Sequence, residues 1–485
     1  MVGIRAWMSA PRTIFGLFVA SVVVTYLIPK HTQWLPRPNA EAVPVALSPI
    51  PNYLWQTSGW IVLIALFITL LRWTGRGAPD DWPDLSARRM TLLALAGLWS
   101  FALVSRIVTG KASEASITPL ALVIVAGVVG AAAFMALRPP RTSVVIGGVL
   151  LGGVVARLVG ITLTPLDKDY SDNLPAILVS LDRLVHGQTP YAMIDFGTHL
   201  NPMGYLPWTV LGYLPPFIAG VDIRFTNLVL SLAVVVSVLL FLARLGLPRK
   251  AEHAFGLLAA LIYAAPNAIG FDLHTEWQFF TLALVSAFAL LGLGRLRIAA
   301  ASYGLALGAM PVAALCAPAL CGFVIRTKGW REFVSLSAIA AAFASPIVIF
   351  LLWDANAFLG TVTSAPLSFA QRLAAGDPSW PYLLAWHRLP YGALSMLQLG
   401  ISALVVFLSW RTRTPSQALR LAVATYLALT LTPFIAPHVF SPLLWLVMLA
   451  IALRVAERTI KRGADLHGLR EGRHGFNQRE AAPAS

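Results

Sequence analysis

"SVVIGGVLLGGVVARLVGITLTPLDKDYSDNLP", residues 143–175, runs from an apolar segment long enough to cross a bilayer straight into three carboxylates and a lysine at 167–172. Whether this junction is a membrane exit or a core-to-surface turn decides the fold. The rest of the chain answers. Of 485 residues, 58% are hydrophobic and 12% are charged, and the mean hydropathy is +0.74. Soluble domains carry about 25% charged residues. Apolar stretches of spanning length recur at approximately 13–29, 57–71, 91–108, 118–137, 143–163, 225–244, 254–270, 278–294, 298–325, 333–352, 391–410, 417–435 and 438–453. The sequence therefore predicts an all-α, polytopic transmembrane helical bundle.

The formal charge of +15 would suit nucleic-acid binding if it were gathered in a patch. Instead the cations sit at span ends, as in Arg72, Arg76, Arg88, Arg89, Arg138, Arg141, Arg249, Lys250, Arg326, Lys328, Arg411 and Arg413, and in a basic tail over 454–485. Placing these in the cytoplasm satisfies the positive-inside rule at nearly every short loop and excludes nucleic acid as a partner. The run 298–325 lies between two basic loops and contains Gly308, Pro311 and Pro318. It reads as a hairpin or re-entrant pair of short helices, tolerated where protein surrounds the broken backbone. This gives about 13–14 membrane segments with both termini cytoplasmic. The N-terminus has a basic start and an apolar core without a small-residue cleavage site, so it reads as a retained span. Cys316 and Cys321 fall in one apolar segment and imply neither a disulfide framework nor a metal site.

On this topology the fifth span exits outward, and "DKDYSDNLP" is the first polar sequence beyond it. Outer loops follow at 164–224, 271–278 and 353–386. Within the first, Ile177, Leu178, Leu181, Leu184 and Val185 recur at helical spacing, with Ser180, Asp182, Arg183 and His186 on the other face. Asn173 suits the start, Pro175 the first turn and Gly187 the stop of an interfacial helix. Tyr205 to Val221 is apolar but broken by Pro207, Gly212, Pro215 and Pro216, and reads as a second interfacial or re-entrant element.

A span leading to an outer acidic motif with a tyrosine, then an amphipathic helix, "GQTPY", "YLP" and a later "RFTN" resembles the GT-C glycosyltransferases over roughly residues 143–410. The region beginning "HTEWQFF" is similar to bacterial mannosyl- and arabinosyltransferase-like members. The resemblance implies a polyprenyl-phosphate-linked sugar donor, a glycan or glycolipid acceptor, and a site on the extracytoplasmic face of the bacterial inner membrane. Residues 1–142 would then be a four-span accessory region, 143–410 the core, and 411–453 the C-terminal spans.

Sugar transfer needs a base for the acceptor hydroxyl while a phosphate departs. Asp169 is the chosen base, with Asp167 and Asp172 as companions. Asp167 and Asp169 form a D-x-D that could chelate a divalent cation only if the loop turns there, because their side chains otherwise diverge. No cofactor is otherwise required. Arg183, Arg224, His199, Arg372 and Arg388 are outer donors for a leaving phosphate, although an isolated interfacial Arg also serves as a snorkelling anchor. Tyr205, His274, Glu276 and Gln278 complete the substrate-binding candidates. Glu276 is weighted because an ionisable group at the mouth of an apolar helix is costly. Trp277, Trp380, Trp386 and Tyr382 are stacking or belt aromatics. Asp354 is a less favoured acid at the start of the 353–386 loop, which would act as a lid. Two other readings stay open: an outer-face polysaccharide polymerase or ligase, which the loop histidines and arginines would suit, and a lipid-linked-sugar transporter or flippase, which would place ionisable residues deeper in the membrane.

Overall fold

The computed structural model describes residues 142–163, 165–166, 173–195, 200–264, 266–362, 400, 403–404, 407–409, 411–430 and 442–460. The first four spans, the acidic residues 167–172, His199, most of the 353–386 loop and the tail beyond 460 lie outside them. What is described is overwhelmingly helical. α1 covers Thr142–Leu163 and α2 Asn173–Val185. After β1 (Met193–Asp195) and β2 (Leu200–Pro202) come α3 (Pro207–Leu211), α4 (Leu214–Ile218) and α5 (Arg224–Arg244). Next are α6 (Arg249–Ala264), α7 (Pro266–His274), α8 (Gln278–Gly292) and α9 (Leu296–Leu307). A 3-10 turn at Pro311–Cys316 leads into α10 (Ala317–Lys328), α11 (Trp330–Ala344) and α12 (Pro346–Trp353). α13 spans residues 355–362, α14 Pro415–Thr430 and α15 residues 442–460.

Three helical segments are long and apolar enough to cross a membrane: α1, α5 and the 311–328 segment. A fourth is counted if α11 and α12, bent by 49° at Ser345–Pro346, act as one span. Their outward faces suit that role. Leu151 on α1, Val229 and Leu240 on α5, and Leu352 on α12 are all at least 60% exposed. The inner faces join one core, in which α5 and α8 pack with α6, α9 and α15.

The expected break in 298–325 is present, but its arms are unequal. α9 stops at Leu307, and the second arm is itself long enough to span. The stop exposes the carbonyls of Gly308 and Ala309. These accept the amides of Trp208 (2.9 Å) and Leu206 (3.2 Å) and the Thr209 hydroxyl (2.8 Å). The orphan donors at the start of α3 thus satisfy orphan acceptors at the end of α9, with Pro207 suited to the first turn because it has no N–H to lose. One broken element supports another.

The described residues of the 164–224 loop fold into a compact layer around Leu174, Ile177, Leu181, Tyr191, Met203, Leu206, Val210 and Tyr213. Tyr191 of "GQTPY" stands edge-on to Phe350 of α12 (5.6 Å) and Phe358 of α13 (4.6 Å). α2 begins at Asn173 and ends at Val185, and the chain turns away at Gly187, whose φ of +71° only glycine adopts cheaply. Ser180 lies on the buried face because its hydroxyl donates to Pro190 O at 3.2 Å, whereas Val185 is 47% exposed. A pure all-α chain is corrected by one antiparallel ribbon that pairs Ile194 with Asn201. Period-2 alternation over three residues is too short to register in the sequence.

α9 and α11 meet at a glycine seam. A Cβ on Gly304 would fall 2.2 Å from Ala340 O, against backbone that has no rotamer to change. Gly304→Ala should therefore push the helices apart at about 1–3 kcal/mol. The check is a lower thermal midpoint in detergent, and an unchanged midpoint would show that the seam is loose.

Candidate functional site

The C-terminal turns of α1 meet the start of α5 and the end of α7, and the start of α8 reaches the same place through Gln278. There a polar cluster lies inside apolar packing. Arg157 of α1 is 1% exposed. Its Nε donates to Asp272 Oδ2 at 2.5 Å, Nη1 to Gly153 O at 3.0 Å and Nη2 to Tyr263 O at 2.9 Å. The guanidinium also lies 3.9 Å from the centre of the Tyr263 ring. Gly153 makes this approach possible, because a Cβ there would sit 2.8 Å from that ring. All three guanidinium nitrogens donate.

Asp272 is as deeply buried as its partner, and its Oδ1 accepts a hydrogen bond from Gln278 Nε2. Asn227 of α5, fully buried, donates to Asp272 O (2.7 Å) and Thr275 O (2.8 Å). Its Oδ1 accepts the Tyr213 hydroxyl. Burial, reinforced by the charges of Glu276 and Asp272, pushes the Tyr213 phenol well above its ordinary pKa, so it stays a donor. The turn 275–277 between α7 and α8 is thereby tied to α5 and to the loop layer. Glu276, with no exposed surface, lies in that turn. Trp277 packs edge-on to Phe280 at 5.7 Å beneath it.

Two further contacts anchor the flanks of the acidic stretch. On the upstream side, Arg224 Nη2 donates to Ile161 O at 3.0 Å in the last turn of α1, while its other donors hold Asp222. Downstream, Tyr205 Oη donates to Asn173 Oδ1 at 3.0 Å at the start of α2. The RFTN and YLP motifs thus act as clamps on either side of residues 164–172.

The sequence candidates separate accordingly. Gln278 and Glu276 belong to the buried cluster, His274 ends α7 beside it, and Tyr205 holds a flank. The 271–278 loop is corrected: α7 continues through His274 and α8 begins at Gln278, because Asn227 and Gln278 absorb the polar groups there. Arg183 sits half-buried on α2, and its Nη1 makes no hydrogen bond among the described residues. Asp354 caps α13 through Ala357 N at 2.9 Å, which explains that acid structurally. Asp167, Asp169, Asp172 and His199 lie outside the described residues, as do Arg372, Trp380, Tyr382, Trp386 and Arg388. Among the described residues no three His, Cys, Asp or Glu side chains gather as a metal site.

Sequence reasoning missed Arg157, Asp272, Asn227, Tyr213 and Tyr263. A signal for the first existed: an arginine inside an apolar span is rare and faces a partner in the bundle interior. Asn227 carried no such mark. The class the fold defines is a helical protein with three to four helices long and apolar enough to cross a membrane. No family model, curated protein or solved structure matches the chain.

Arg157→Met leaves Asp272 buried beside nothing positive and should cost about 3–5 kcal/mol, whereas Arg157→Met combined with Asp272→Leu should cost much less. Unfolding of the purified variants in detergent reads both. Equal losses would mean that the charges are not coupled.

A pH effect follows from Asp222. Burial favours its neutral form, but the hydrogen bonds and charge of Arg224 outweigh this and hold its carboxyl below the ordinary range. A depressed folded pKa contributes stability above the unfolded value, about 3.9, that is lost as pH falls through the folded one. Asp222→Asn should flatten the acid limb of a thermal-midpoint profile between pH 5 and 3. An unchanged limb would remove Asp222 from the cause.

Proposed function

We propose that the chain is a polytopic GT-C-like glycosyltransferase of the bacterial inner membrane that moves a sugar from a polyprenyl-phosphate donor to a glycan or glycolipid acceptor on the extracytoplasmic face. Asp169 takes the proton of the acceptor hydroxyl as its oxygen bonds to the sugar carbon. The bond from that carbon to the phosphate oxygen breaks, and the electron pair leaves with the phosphate. Asp167 and Asp172 shape the local charge.

The observation that supports this reading is the anchoring of the described residues on both sides of the acidic stretch. Its upstream flank is bound by Arg224 at Ile161 and, four residues earlier on α1, by the Arg157–Asp272 pair; its downstream flank is bound by Tyr205. General-base catalysis demands a carboxylate fixed to within fractions of an ångström, and a rigid surround supplies that. Glu276, His274 and Gln278, at the start of the next helix pair, are the acceptor-side groups in this scheme. The buried Arg157–Asp272 pair also favours a second reading, a lipid-linked-sugar flippase, since transporters use intramembrane charge pairs.

Membranes containing the protein, incubated with labelled polyprenyl-phosphate sugars, separate the two. A transferase consumes one donor and forms a glycosidic product. Asp169→Asn should lower that rate by at least about a hundredfold, the lower end of a general base's contribution, without changing membrane insertion. Full activity in that variant would reject Asp169, and translocation without product would favour the flippase.

A further inference from the structure

One face of α1 is exposed along its whole length. Val144, Gly148, Leu151, Val155, Leu158 and Thr162 all lie on it, with Leu151 at 64% exposed. Their spacing alternates four and three residues, which is the spacing of a seam between two packed helices. Gly148 and the adjoining Gly152 have nothing described within 4 Å of where a Cβ would stand. Small residues four apart let two backbones approach closely inside a membrane, where packing rather than hydrophobicity holds helices together. The other side of α1 is taken. Val145, Gly153, Ala156, Arg157 and Ile161 are buried there, where α5, α6 and α7 pack.

The chain supplies an occupant for this seam. The apolar stretch 118–137, "TPLALVIVAGVVGAAAFMAL", ends four residues before α1 begins. From Leu137 to Thr142 the chain reaches at most about 18 Å, and packed helices lie about 8–10 Å apart. Pro139 and Pro140 interrupt any continuous helix, and Arg138 and Arg141 favour the same side of the membrane for both ends of the connection. Connections this short join antiparallel neighbours. With α5, α6 and α7 on the buried side, the seam is the place beside α1 that the described elements leave. The stretch also carries a matching row, Val123, Ala126, Gly130 and Ala133, at three- and four-residue spacing. Counted back from the connection at about 1.5 Å per residue, Ala133 falls near the level of Gly148, Gly130 near Leu151 and Ala126 near Val155. The larger side chains of α1 thus meet the smaller residues of the stretch.

We propose that residues 118–137 form a helix that docks antiparallel on the exposed seam of α1, with Gly148, Leu151, Gly152 and Val155 as its contact surface. This docking fastens the N-terminal region to the helix that carries Arg157, and it makes α1 an interior wall of the bundle instead of an edge. It is independent of the sugar-transfer reading.

The test uses the full chain in its membrane, carrying Cys321→Ala and keeping Cys316, which is fully buried. Pairs of cysteines are introduced and oxidised, since a disulfide forms only where two Cα atoms come within about 7 Å. Two matched pairs, Ala133→Cys with Gly148→Cys and Ala126→Cys with Val155→Cys, should cross-link within one chain. Two crossed pairs, Ala133→Cys with Val155→Cys and Ala126→Cys with Gly148→Cys, lie several residues apart along the helix axis and should not. Mass spectrometry identifies the linked peptides, and a non-reducing gel shows whether one chain or two are joined. Links that join two chains assign the seam to a second copy and overturn the proposal. Matched pairs that insert normally and form no link leave the seam to lipid and overturn it as well. Equal yields from matched and crossed pairs reject the antiparallel docking. If one matched pair fails to insert, the other decides.

Discussion

The buried pair between Arg157 and Asp272 is the constraint around which the described bundle is organised. A guanidinium inside an apolar span is tolerable only when its donors are satisfied, and here the satisfaction comes from three directions. Gly153 lies on the same helix, Tyr263 on α6 and Asp272 on α7. The two bonds that leave α1 each fix a different helix relative to it. Replacing one partner therefore disturbs an arrangement rather than a contact, because a desolvated charge that loses its counter-ion has no cheap alternative.

The consequences extend outward along the chain. Asp272 receives Gln278, and its backbone carbonyl receives Asn227, so the α7–α8 turn is fixed by the same group that neutralises Arg157. Asn227 then accepts Tyr213, which carries the constraint into the loop layer. At the opposite edge of that layer, Leu206 and Trp208 close the broken end of α9. The loop is thus a structural member that supplies donors to two interrupted elements. A segment with this role keeps a fixed position relative to the helices, as a site built on its flanks needs.

Local features were the legible part of the sequence. The ends of α2 were readable because Asn173, Pro175 and Gly187 act through backbone geometry within a few residues. The interruption at Gly308 and Pro311 was readable for the same reason, and so was α5, whose observed span of 224–244 nearly repeats the apolar run. Features set by distant contacts were not. Arg157 and Asp272 are separated by 115 positions, and no periodicity connects them. Asn227 looks like an ordinary polar residue in the first turns of an apolar helix until its two carbonyl acceptors are seen. Asp354, a less favoured acid on the sequence, shows a local role that only the structure reveals, as the cap of α13.

The buried charge at the Arg157 end is built into the scaffold. The guanidinium holds α6 and α7 against α1, and Asn227 ties the α7–α8 turn to α5. Glu276 lies in that same turn with no exposed surface, so the cluster encloses a second carboxylate beyond the one that Arg157 neutralises. A turn fixed from three helices keeps such a group in one place, because moving it would break contacts made by buried polar groups that have no water to turn to.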